Sequence, residues 1–235
     1  MSKKSGQLNK SASSGQVSEF LEKLDQMPQK HQGDRSGRLV FAMDATASRA
    51  ATWDMACKLQ GDMFAKSSAI GSLELQLVFF RGYQECKSSK WLSNPMDLLR
   101  LMSSVTCLAG QTQIERVFKH TLTEARDGQV DAMVYVGDCM EESVDKLGAL
   151  AGQLKLLSVP LFIFQEGYDI AAASAFKQFA KLSGGAHCQL DHNSAQQLGE
   201  LLNAAAVYAA GGRAALKEHA RLTGGLSGKL LQQLD

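Results

Sequence analysis

The sequence predicts an α/β domain, a doubly wound and mostly parallel sheet with helices on both faces and one antiparallel edge strand. Three observations carry this. Short apolar runs alternate with longer segments of helical periodicity along most of the 235 residues. The runs are continuously apolar, which marks strands covered on both faces. The segments between them are long enough for right-handed crossovers between parallel strands.

Each element follows from its residues. Met1 to about Gln16 is rich in Ser, Lys and Gly and reads as a mobile tail. In VSEFLEKLDQM, Val17, Phe20, Leu21, Leu24 and Met27 fall at helical spacing with Ser18 as a cap, a short helix expected to dock on the domain because it is marginal alone. Pro28 to Gly37 is a linker. Arg38–Met43 is a buried strand. A helix is expected from about Ser48 to Lys66, with Trp53, Ala56, Cys57, Met63 and Phe64 turned inward. Leu73–Phe80 is the second strand. Gly82–Trp91 is polar and turn-rich, suited to an edge strand or hairpin. Pro95 opens a helix reaching about Val105, as Pro does in a first turn. Thr112 to Arg126 is helical, Asp131–Gly137 a strand, and Glu141 to Leu157 a helix. Val159–Phe164 is a strand, Asp169 to Leu182 a helix, and Ala186–Leu190 a short strand. A helix from Ser194 to about Ala210 is broken by Gly211-Gly212, and a terminal helical segment follows. The expected organisation is a tail over residues 1–35, the α/β domain over 36–212 and a helical tail over 213–235. No internal repeat suggests a solenoid.

Composition narrows the function classes. Lys and Arg number 25 against 24 Asp and Glu, so no bulk charge draws the chain to nucleic acid or membrane. No segment has the roughly twenty apolar residues a membrane span needs. The first residues are basic but carry neither an apolar stretch nor a cleavage site, so they do not read as a secretory signal. Five scattered cysteines do not form a disulfide framework and read as reduced thiols of a cytoplasmic protein.

The most informative stretch is Leu39-Val-Phe-Ala-Met-Asp-Ala-Thr-Ala-Ser48. Asp44, Thr46 and Ser48 close the first strand, separated by alanines that permit close approach. Such oxygens suit a hard divalent cation. The same residues also cap helices well, and the stretch alone leaves both readings open. Further along, Asp138 follows the strand Asp131–Gly137. If the two strands are neighbours, parallel pairing brings both carboxylates to one crevice at the ligand-binding edge of the sheet, where a cation between them would relieve their repulsion. Thr112, beside Gly110 in LAGQTQIERV, lies on a loop at that edge and offers a neutral oxygen.

With D-A-T-A-S, a later Thr in G-Q-T-Q and an Asp after an apolar strand, the chain resembles the von Willebrand factor A domains and their metal-ion-dependent adhesion site over roughly Arg38 to Ala210. The family's first motif is Asp-x-Ser-x-Ser, so Thr46 replaces a Ser but keeps the hydroxyl. The resemblance implies that Thr46, Ser48 and Thr112 bind Mg²⁺ (or Mn²⁺) directly, and that Asp44 and Asp138 bind it directly or through water. It further implies a protein partner whose Asp or Glu fills an open coordination position, and for bacterial cytoplasmic members a ring-forming AAA-type ATPase. Asp138 departs from the family in lacking the Gly that often follows. Cys139, Met140, Glu141 and Glu142 follow instead; the glutamates are read as favouring the start of the next helix, the other reading being acidic charge crowded beside the metal that repels an acidic partner.

Other motifs carry less. His187, Cys188, Asp191 and His192 cluster, but no second pair lies at zinc-finger spacing. Cys86 and Cys107 are not expected to pair. TGGLSGKLL lacks the spacing of a phosphate loop, and no G-x-S-x-G elbow supports a Ser hydrolase. An aspartyl-phosphate phosphatase needs a second Asp at position 46, which is Thr. Trp53 reads as core, and Trp91 stays open. Arg49 and Arg81 lie near the ligand edge, either to orient loops or receive a carboxylate, or simply solvated. A metal-assisted phosphohydrolase on the same carboxylates is the alternative to a binding module.

Overall fold

The first apolar run becomes strand β1 (Gly37–Asp44), which forms the centre of the sheet. In the computed structural model, residues 36–50, 53, 73–190 and 195–223 are described. The other strands are β2 (Leu73–Arg81), β3 (Glu85–Ser88), β4 (Ala132–Gly137), β5 (Leu161–Glu166) and β6 (Ala186–Leu190). Their order in the sheet is β3-β2-β1-β4-β5-β6. All pairings are parallel except β2 with β3, so the polar hairpin supplies the antiparallel edge. Chain order runs outward from β1 in one direction and then returns to run outward in the other. The reversal falls between β1 and β4, the position where such sheets open a crevice at their carboxyl ends.

Five helices are described: α1 (Pro95–Ser104), α2 (Ile114–Asp127), α3 (Val144–Leu156), α4 (Ile170–Ser183) and α5 (Ala195–Thr223). Alternation along the strands divides the core into two layers. Leu39, Phe41 and Met43 of β1 face one side, where Trp53, α1 and α5 cover them. Val40 and Ala42 face the other, beneath α2, α3 and α4. Continuous apolar strands are thus buried on both faces for the reason the sequence suggested.

Local signals act where they stand. Asn94 accepts the Met96 N–H at 2.9 Å and caps α1 ahead of Pro95. Asp169 accepts the Ala172 N–H at 2.8 Å and caps α4. Gly212 adopts φ 63° and ψ −164° and interrupts α5. Beyond that break the chain doubles back, because Asn203 meets His219 at 2.8 Å across a separation that a straight helix would stretch to about 24 Å.

Several expectations fall outside the described residues: the N-terminal helix, Ala56, Cys57, Met63 and Phe64 of the first crossover helix, and the TGGLSGKLL segment from Gly224 on. Trp53 is core, and its indole N–H donates to the Met102 carbonyl at 3.2 Å. Trp91 is half-buried, its indole donating to Glu124 at 2.9 Å with the Arg38 guanidinium 5.0 Å over the ring. Consecutive residues of β6 separate the histidine–cysteine cluster: Cys188 is buried in the first core layer, whereas His187 meets Gln165 at 3.1 Å and the Phe176 ring. Asp191 and His192 lie outside the described residues. Cys86 and Cys139 are free thiols, so Cys86 and Cys107 do not pair. No helix among the described residues is long and apolar enough to cross a membrane.

Where α5 crosses the start of β1, the backbones approach closely. A Cβ at Gly37 would lie 2.0 Å from the Ala209 carbonyl oxygen, whereas one at Gly152, inside α3, would meet nothing within 4 Å. Gly37→Ala is therefore expected to lower the stability measured by urea denaturation by about 1–3 kcal/mol or more. Gly152→Ala should raise it by about 0.5–1 kcal/mol through helix propensity and a less flexible unfolded chain.

Candidate metal centre

β1 delivers Asp44 to the carboxyl edge as its last residue, and the next three backbone steps turn sharply. The Arg49 N–H closes a 3-10 turn on the Thr46 carbonyl at 3.0 Å. Asp44 is fully buried. Its Oδ1 accepts the Thr46 N–H at 2.7 Å, and its Oδ2 has no hydrogen-bond partner. Thr46 is buried and Ser48 exposed, and their hydroxyls lie 3.1 Å apart. The two alanines between these residues keep the turn slim.

β4 is the neighbour of β1, with Met43 opposite Val136, so Asp138 emerges beside Asp44. Oxygens of both carboxylates and the Cys139 sulfur lie within 4.8 Å of one another. Asp138 Oδ1 is likewise buried without a partner, and so is the Tyr135 hydroxyl. Burial, with the nearby Asp138 charge adding to it, pushes the Asp44 carboxyl up to about 6; hydrogen bonds from Thr46 and the charge of Arg49 pull the other way. The Cys139 thiol is pushed up to about 12 by burial, by the Asp138 charge and by its hydrogen bond to Asp138.

Thr112 reaches this edge through its loop. The Leu108 N–H donates to the Ala45 carbonyl at 3.1 Å and the Gln111 N–H to the Gly82 carbonyl at 3.2 Å. Gly110 is required here, since a Cβ would sit 1.9 Å from the Gly82 oxygen. Thr112 is buried and doubly tied to the loop after Asp138: its N–H donates to Glu141 Oε2 and its Oγ accepts the Glu141 N–H, both at 3.1 Å.

Of the two glutamates after Asp138, Glu142 does serve a helix start, but that of the preceding helix. Glu142 accepts the Ile114 N–H at 2.7 Å and the Glu115 N–H at 2.8 Å, capping α2, while α3 begins only at Val144. Gln113, the residue before α2, makes no side-chain cap of its own. The cap thus comes from a loop 28 residues away, which no local pattern announces.

Arg49 overturns the solvated reading of its position. Its side chain is 1% exposed and ion-paired with Glu166 at the end of β5. Burial lowers its pKa, while the charges of Asp44 and Asp138 act to raise it. Arg81 orients loops: it forks onto Glu85 at 2.9 and 3.0 Å and donates to Thr106.

The donor set suits a hard cation. Two buried carboxylate oxygens lack partners, and hydroxyls stand beside them. Cys139 is held as a thiol and adds no hard ligand.

No protein-family model matches the sequence, and no curated protein does. Solved structures match the fold. The SpRpn10 VWA domain has a TM-score of 0.58 over 72% of this chain and 95% of its own, at 13% identity. A von Willebrand factor type A protein from Catenulispora acidiphila has a TM-score of 0.59, covering 73% of this chain and 43% of its own at 11% identity. The pilus adhesin SpaC from Lactobacillus rhamnosus GG has a TM-score of 0.58, covering 81% of this chain and 31% of its own at 11% identity. The chain thus spans nearly all of the first and less than half of the other two.

Two outcomes follow from this geometry. An acid whose folded pKa exceeds its unfolded value holds its proton more tightly when folded. Without metal, Asp44 should therefore favour folding below about pH 4, an advantage lost as pH rises through about 6 and amounting to about 2–3 kcal/mol. Denaturation at stepped pH should show this slope in wild type and a flattened one in Asp44→Asn. Glu142→Ala should cost about 1–2 kcal/mol by uncapping α2, read in the same assay.

Proposed function

The chain has the von Willebrand factor A fold, and from that premise we propose that it is a protein-binding module whose Mg²⁺ or Mn²⁺ site recognises an Asp or Glu of a partner protein. The observation that carries this reading is the approach of Asp44 and Asp138, each with a buried and unpartnered oxygen, at the point where strand order reverses.

Asp44, Thr46, Ser48, Thr112 and Asp138 would hold the ion. When bound, it supplies a positive centre with a free coordination position for a carboxylate, in the octahedral oxygen geometry that Mg²⁺ favours. The protein's own contribution is preorganisation. The Thr46 N–H fixes the orientation of Asp44, leaving Oδ2 without a hydrogen-bond partner. Glu141 and Glu142 anchor the Thr112 loop, so that its hydroxyl is presented from a braced position. Asp44 and Asp138 offset a divalent charge, so an incoming carboxylate meets a neutral site.

Exposed Tyr83, Leu108 and Tyr168 in loops, and Ile170 at the start of α4, lie at this end of the sheet and would flank the acidic contact with apolar area. Among structures of the same fold are a pilus adhesin and a COPII-coat protein, names that accord with a binding role. The metal-assisted phosphohydrolase would use the same two carboxylates; among the described residues the third group beside them, the Cys139 sulfur, is held as a thiol.

Titration calorimetry is expected to show Mg²⁺ or Mn²⁺ heat for wild type and none for Asp44→Ala. A native-lysate pull-down should capture a protein that EDTA releases and Asp44→Ala fails to capture. An AAA-type ATPase in that fraction would extend the reading to the partner class. Equal heats in both proteins would remove Asp44 from the site. Turnover of a generic phosphoester that Asp44→Asn abolishes would favour the hydrolase instead.

A further inference from the structure

Arg49 stands out among the described residues as a fully buried guanidinium at a sheet edge built from acids. It is the residue immediately after Ser48, on the turn that leaves β1. Its ion-pair partner, Glu166, ends β5. β4 lies between β1 and β5 in the sheet. The ion pair therefore links the turn after β1 to the end of β5, the strand on the far side of β4. The carboxyl end of β4 is where Gly137 hands over to Asp138. Glu166 pairs with the Arg49 cation, the charges of Asp44 and Asp138 also act on it, and those two neighbouring carboxylates each keep a buried oxygen without a hydrogen-bond partner.

We propose that Arg49, held by Glu166, is the built-in counter-cation of the Asp44–Asp138 pair, and that a divalent ion must bind against its charge. The competitive part rests on the metal-binding reading above. The physical argument is symmetrical. A guanidinium buried this fully needs carboxylates to offset its lost hydration. Two carboxylates buried this close need a cation. Each supplies what the other lacks, so the metal-free site is a stable resting state. A divalent ion then enters a site that already holds positive charge, and its affinity is lowered by that repulsion. Glu166 draws the guanidinium toward β5 and limits the repulsion. Arg is suited to this role because it stays charged under all ordinary conditions and its planar fork can face several carboxylates.

The test uses the full chain in two assays. In metal-free thermal melts, Arg49→Met should lower the midpoint in wild type and lower it markedly less in the Asp44→Asn background. Additive shifts overturn the proposal. In Mg²⁺ calorimetry, the charge-free pair Arg49→Met with Glu166→Gln should bind about tenfold or more tightly than wild type. Arg49→Lys, which keeps the charge, should remain near the wild-type affinity and separates charge from packing. Should the double variant fail to fold, Glu166→Gln alone is expected to bind Mg²⁺ more weakly than wild type, since Arg49 then relaxes toward Asp44 and Asp138. Equal affinities across these variants overturn the proposal alone. Absence of Mg²⁺ heat from wild type and every variant overturns it together with the metal-binding reading.

Discussion

Two carboxylates are held side by side at the ends of adjacent parallel strands, Asp44 fully buried and Asp138 half-buried. Like charges in low dielectric repel, and each also loses hydration. The sheet produces this arrangement, because β1 and β4 are parallel neighbours, β1 ends in Asp44 and Asp138 directly follows β4 at the same edge. The structure around them answers that constraint. Thr46 turns its N–H onto Asp44, and Arg49 is drawn inside instead of reaching for solvent. The rise of the Asp44 carboxyl to about 6 measures how incompletely those partners compensate the burial.

The loops above the sheet are bound into one rim. The segment between α1 and α2 rests on Ala45 and on the β2–β3 turn at Gly82. Its other end is held by Glu141 and Glu142 from the loop after β4. A hydroxyl at position 112 is useful to a ligand only if its loop does not drift, and backbone hydrogen bonds from two neighbouring loops give that rigidity. The acids that perform this bracing also surround the site with negative potential, which favours cations over free anions. A partner's carboxylate is thus tolerated only where positive charge awaits it.

Much of this was legible in the residues. β6 spans the segment read from the sequence, and β1, β2, β4 and β5 lie within about two residues of theirs, because apolar runs bounded by turn residues leave little freedom; β3 occupies only the middle of the polar segment Gly82–Trp91. Pro95 and Asp169 marked helix starts through local chemistry. The acidic pair was visible conditionally, since two strands ending in Asp meet only if they are neighbours. The role of Glu142 was not visible, because the N–H groups it caps belong to α2, 27 and 28 residues earlier in the chain. Arg49 was equally opaque. An Arg after a polar turn is ordinarily solvated, and only the position of β5 places Glu166 within its reach.

The sequence by itself determined the alternation of strands and helices, the two-sided burial of the sheet and the oxygen-bearing residues at the strand ends, all properties of neighbours along the chain. The tertiary structure alone decided which strand ends adjoin, which loop caps which helix, and that a guanidinium lies inside the acidic edge. Those outcomes depend on strand order and on electrostatic balance among groups far apart in the chain. Such balance has no local pattern, because the energy of a buried charge is fixed by whatever surrounds it in space.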